Sequence, residues 1–155
     1  KEYEYIRHLG KWDDFNKNLD VITNLKHKIS FNMLHFILNY NSIHDCVDYL
    51  KSKGFHDNSF IIGPVSGPSW LNILNLPDAM MENIKATLKE KLNNDPKGYL
   101  KNSYENLLKY YDTTQWQKNM KGFYYNIGKM DQRRKLDSKK IFHDLFMELD
   151  LHGLE

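Results

Sequence analysis

The stretch Ile29-Ser30-Phe31-Asn32-Met33-Leu34-His35-Phe36-Ile37-Leu38 decides how this 155-residue chain is read. It is dense in β-branched, aromatic and aliphatic side chains, and Asn39-Tyr40-Asn41 breaks it downstream. It is therefore predicted to be a buried strand. Ser42 then stands where a helix wants its N-cap, and Ile43, Val47 and Leu50 follow at helical spacing. That helix is predicted to stop at Lys53-Gly54, a basic last turn followed by a C-terminal glycine. Phe60-Ile61-Ile62 is a second short apolar strand. Strand, helix, strand is a β-α-β unit, and such units make parallel neighbours with a right-handed crossover.

Working outward, Trp12, Phe15, Leu19, Ile22 and Leu25 fall on one helix face upstream. Downstream, Gly63-Pro64-Val65-Ser66-Gly67-Pro68-Ser69 reads as a loop. Pro77 opens a helix running to about Leu92, and Asn93-Asn94-Asp95-Pro96 is a turn. Helices are predicted at roughly 97–111, 114–127 and 138–149, the last capped by Ser138. The expected organisation is an α/β portion over 1–76 and a helical extension over 77–155. Two strands do not make an adequate sheet. Further strands are therefore expected upstream, and the opening on Lys1 rather than Met carries the same expectation.

Composition narrows the function. Apolar residues make up 41% and charged residues 27%, as in ordinary globular proteins. With 22 basic and 20 acidic residues, the net charge of +2 does not argue for nucleic acid or a polyanionic surface. The segment Lys129–Lys140 concentrates Lys129, Arg133, Arg134, Lys135, Lys139 and Lys140. Asp131 and Asp137 interrupt it, so it is read as a solvated, partly ion-paired stretch, and no nucleic-acid partner is expected. No apolar run is long enough to span a membrane, and no membrane partner is expected. Cys46 is the only cysteine, which excludes an internal disulfide, fits a cytoplasmic setting, and reads as a small core residue on its helix. His8, His27, His44, His56, His143 and His152 show no zinc-binding spacing. Trp116, Phe123, Tyr124 and Tyr125 read as helical core.

Several segments together resemble one group. Tyr5-Ile6-Arg7 with Trp12 and Asn18-Leu19 is similar to the segment after the fourth barrel strand of radical S-adenosylmethionine (SAM) enzymes. Phe31-Asn32-Met33 with Asn41, Tyr49-Leu50 and Gly54-Phe55 resembles their fifth strand and its helix. Leu71-Asn72-Ile73 with Leu76-Pro77 looks like the loop after strand six. Met130-Asp131-Gln132-Arg133-Arg134, followed by Phe142, resembles the terminal D-x-x-R segment of twitch-type radical SAM proteins, a group with phage-encoded members. The resemblance spans nearly the whole chain and rests on order and spacing. It implies an α/β fold: the C-terminal strands of a partial (β/α)6 radical SAM barrel followed by a helical region. It also implies SAM and a 4Fe-4S cluster as cofactors. The C-x-x-x-C-x-x-C motif that holds the cluster is absent here, so its ligands are expected in a missing N-terminal half.

Candidate site residues follow from strand alternation and this resemblance. If Phe31 and Met33 pack on helices, Ser30 and Asn32 face the barrel interior. Asn32 is then either a hydrogen-bonding partner of SAM or substrate, or a buried amide satisfied by a neighbouring strand. His35, Asn39 and Asn41 lie near the C-terminal end of the strand, where α/β barrels bind ligands. His35 reads as a cofactor contact or acid-base group, or as a structural histidine, while Asn41 shapes the turn. The resemblance also places the backbone of Gly63-Pro64-Val65-Ser66-Gly67 along adenine, with Pro64 and Ser66 at the cofactor. The alternative is a loop whose glycines only permit sharp turns. The expected function is the C-terminal portion of a radical SAM enzyme, not catalytic alone, acting on a peptide, protein or small molecule. The alternative is a non-catalytic protein-interaction module derived from the same fold.

Overall fold

A computed structural model describes residues 1–25 and 28–153; Lys26, His27, Leu154 and Glu155 lie outside the described residues. The elements are α1 (Glu2–Ile6), α2 (Trp12–Thr23), β1 (Phe31–His35), α3 (Ile43–Ser52), β2 (Phe60–Pro64), α4 (Asp78–Asn94), α5 (Lys101–Thr113), α6 (Met120–Arg134), α7 (Ser138–Ile141) and α8 (His143–Leu151). The chain divides into two compact units, Lys1–Lys26 with Met120–Glu155, and His27–Asn119. The 76/77 division expected from sequence falls inside the second of these. Helices α4 and α5 pack on each other, and α5 packs on β2, so they share the strands' unit.

In the unit 27–119, β1 and β2 pair in parallel, with register from Phe31↔Phe60 to His35↔Pro64. Met33, His35, Phe60 and Ile62 are buried, while Asn32, Leu34 and Ile61 are exposed. The predicted alternation therefore holds, and Asn32 lies on the face that solvent reaches. Helix α3 buries Ile43, Val47 and Leu50. Gly54 follows its C-cap at φ 93°, a left-handed turn that glycine adopts at no steric cost. Phe55 N–H then returns to Leu50 C=O at 3.2 Å, as the Lys53-Gly54 signal predicts. Ser42 precedes α3, but its side chain makes no capping hydrogen bond. Cys46 is exposed, not part of the core as its helix position had indicated. Cys46 lies on the solvent side of α3, and Val47 takes the inward position.

In the other unit, α1, α2 and α6–α8 bury Tyr5, Leu19, Phe123, Ile127, Phe142, Leu145, Phe146 and Leu149. Tyr5 meets Phe142 edge to face at 5.1 Å, a favoured aromatic geometry. Asp131 and Arg134 do not serve each other. The Asp131 carboxylate accepts from Tyr5 Oη at 2.9 Å, from Ser138 N at 3.1 Å and from Ser138 Oγ at 2.7 Å. The Arg134 guanidinium donates to the Tyr5 carbonyl. The D-x-x-R segment thus fastens α1 to the α6–α7 junction. Burial and the Asp131 carboxylate push the Tyr5 hydroxyl well above its ordinary pKa, so it stays a donor.

Candidate functional site

His35, Asn39, Pro64 and Ser66 lie at the C-terminal end of the two strands, whereas Asn32 stands near the start of β1 on its exposed face, and the peptide groups of the ladder decide what surrounds them. In a parallel ladder, alternate residues turn their peptide groups toward one neighbour and then the other. Val65 N–H donates to His35 C=O at 3.2 Å. With the observed register, Phe31, Met33 and His35 address β2, and Asn32 and Leu34 address the opposite side. On β2 the outward residues are Phe60, Ile62 and Pro64.

The two edges are treated differently. Ile62 N–H donates to Ser103 Oγ of α5 at 3.1 Å, and both groups are buried. The next outward residue, Pro64, has no N–H to offer. The outer edge of β2 is therefore closed by a helix hydroxyl and a proline. On β1, the Asn39 side chain stands in for a strand at the upper end. Its Nδ2 donates to Leu34 C=O at 2.8 Å, and its Oδ1 accepts from Phe36 N–H at 2.8 Å. Below that plug, the Asn32 peptide group and the Leu34 N–H still face outward. Leu34 is 52% exposed and Ile61 55% exposed, so the sheet face beside this edge is apolar and open.

His35 is 1% exposed, and both ring nitrogens are engaged. Tyr111 Oη lies 2.7 Å from Nδ1 and the Tyr40 carbonyl 3.0 Å from Nε2. A carbonyl only accepts, so Nε2 carries the hydrogen and Nδ1 accepts from the tyrosine. Burial pushes the imidazole down to about 4, so it is neutral at pH 7. The same burial raises the Tyr111 hydroxyl well above its usual range. His35 thus fastens β1 to α5 and to the turn at Tyr40, and it presents no ring atom to a ligand.

The loop after β2 is held by two buried amides. Asn72 Nδ2 donates to Val65 C=O at 2.9 Å and to Tyr110 Oη at 2.7 Å, and its Oδ1 accepts from Leu74 N–H at 2.9 Å. Asn75 Nδ2 donates to the Ser69 and Asn72 carbonyls, and its Oδ1 accepts from Trp116 Nε1 at 2.8 Å and Asn119 N at 2.9 Å. Sequence reading passed over both as site-forming residues. Their signal was two amides inside the apolar run Leu71–Leu76. Within the loop, the Gly67-Pro68 peptide is cis, Pro64 is half-buried and Ser66 is exposed.

Two cavities lie elsewhere in this unit. One of about 240 Å³ is lined by His44, Lys91 and Tyr104 among others. One of about 550 Å³ is lined by Ser69 and by residues 116–119. None of Asn32, His35, Asn39, Pro64 or Ser66 lines either. The residues at the strand ends thus belong to neither of these two cavities. They do not fit an iron-sulfur cluster either. The chain has one cysteine, and among the described residues no three His, Cys, Asp or Glu side chains converge on a metal position. No described helix is long and apolar enough to cross a membrane. No family model matches the chain, and neither a curated protein nor a solved structure shows significant similarity to it.

Proposed function

We propose that the chain is the C-terminal portion of a radical SAM enzyme. It would supply the last two strands of the partial barrel and a helical cover, while the cluster-binding cysteines belong to an N-terminal half. The observation that carries this reading is the asymmetry of the two-stranded sheet. A terminal barrel strand needs one closed edge, and β2 has Ser103 and Pro64 there. The strand before it needs a partner on its other side, and β1 keeps outward peptide groups beside exposed Leu34. The open face, with Asn32 on it, corresponds to the barrel interior in this reading. In this reading Asn32 and Ser66 reach toward SAM, whereas His35 and Asn39 hold the strand end, and Pro64 lies in register with His35 on the buried face.

The test is anaerobic iron-sulfur reconstitution of the polypeptide encoded by the complete reading frame, followed by an assay for 5′-deoxyadenosine. Cleavage of SAM is the expected result. A complete reading frame without a cysteine triad, and with no partner chain supplying one, overturns it. The same outward edge of β1 favours the second reading, a non-catalytic interaction module. That reading predicts strand pairing with a partner protein and no binding of SAM.

A further inference from the structure

Helix α6 carries on its solvent side a row that the linear sequence hides. Lys121, Tyr125, Lys129 and Arg133 recur every four residues, and all four are exposed. Residues four apart form a ridge on a helix, each step rising about 6 Å along the axis. The Tyr125 ring is 62% exposed, and the Lys129 ammonium lies 4.2 Å from its centroid. Among the described residues, none of the three cations makes a salt bridge. The acidic residues that interrupt the segment in sequence do not interrupt it in space. Asp131 is turned inward to Tyr5 and Ser138. Asp137 accepts from Lys140 N and pairs with the Lys140 side chain. Arg134, the one cation of α6 that faces inward, is held at the Tyr5 carbonyl.

We propose that this ridge binds single-stranded nucleic acid. Its chemistry is that of a polyphosphate track with a stacking platform. The three cations are spaced along about 18 Å of helix, comparable to a few nucleotides of extended strand, and among the described residues no carboxylate pairs with them. The exposed tyrosine between them offers a π-face to any base, and the adjacent ammonium polarises it. Gly128 lies on the same side, and a Cβ there would meet nothing within 4 Å, so a sugar-phosphate backbone can come close to the helix. The near-neutral charge of the whole chain says nothing of such a local row. The inference is independent of the radical SAM reading, since no residue of the strand ends takes part.

The experiment is fluorescence anisotropy of the full chain with labelled 12-nucleotide DNA and RNA strands, a 12-base-pair duplex, and phosphatidylserine-containing vesicles. Single strands are expected to bind, with log K falling against log salt at a slope of about −2, from roughly 0.7 per phosphate contact and three contacts. Replacing Lys121, Lys129 and Arg133 together with Gln should abolish most of that slope. Tyr125→Ala should weaken binding about 5- to 100-fold without changing the slope, and Tyr125→Phe should retain binding. A preference for DNA or RNA names the source of the strand. Far-UV circular dichroism checks that each exposed substitution leaves the helix folded. Wild-type affinity in the triple Gln variant overturns the proposal. So does equal binding of duplex, or stronger binding of vesicles, which would mark a general anionic or lipid surface.

Discussion

With both nitrogens of His35 committed, Tyr111→Phe removes the hydroxyl that donates to Nδ1 inside the core. It should cost about 1–3 kcal/mol, read as a lower urea midpoint with an unchanged slope. The same ring gives a pH dependence. Its folded pKa is about 4, below the unfolded value of about 6.5, so the unfolded chain takes up the proton first as pH falls. Stability from this group is intact above pH 6.5 and is lost between about 6.5 and 4, by a total on the order of 3 kcal/mol. Unfolding free energies from denaturant titrations should fall across that window for the wild type and change less for a His35→Gln variant. Alternation in Phe31–His35 was legible in sequence, because a period of two needs no tertiary information. The role of Asn39 was not. Its amide reaches Leu34 and Phe36 only because the chain reverses in a 3-10 turn at Ile37–Asn39, and so the strand expected to run to Leu38 ends at His35.

At the scale of elements, α4 begins and ends within a few residues of its sequence limits, but the helix expected at 114–127 runs from Met120 to Arg134. The segment before it is held out of the helix by Asn75, whose side chain takes the Trp116 indole and the Asn119 N–H. Those bonds span more than forty residues, so periodicity could not reveal them. Tyr125, read as core from its aromatic neighbours, is on the outside, and Phe123 takes the buried place. At the start of α7 the cap is Asp137, whose side chain accepts from Lys140 N, and Ser138 turns to Asp131 instead. Asp131→Ala should therefore remove three acceptor contacts at once and cost about 2–4 kcal/mol, checked by thermal unfolding. Gly128→Ala should do the opposite. A methyl there meets open space within a helix interior, so it should raise stability by about 0.5–1 kcal/mol.

At the scale of the whole molecule, the surprise for sequence reading is that the first and last segments make one unit. Tyr5 and Asp131 are partners 126 residues apart, and nothing in the local pattern of either announces the other. The α/β character of the middle was legible, because a β-α-β unit is compact in sequence. The exposed apolar pair Leu34 and Ile61 beside the outward edge of β1 predicts self-association at high concentration. Sedimentation velocity should show a mass that rises with concentration, and Ile61→Lys should suppress the rise without lowering the melting temperature by more than a few degrees.

The hydroxyl of Ser103 on Ile62 has a consequence for the form such association takes. A sheet that is open on both sides propagates copy after copy into a fibre. Here one side is stoppered, so two chains that meet by their β1 margins have no margin left to offer a third. Growth is self-terminating, with helix α5 and Pro64 standing beside the Ser103 hydroxyl on the closed side.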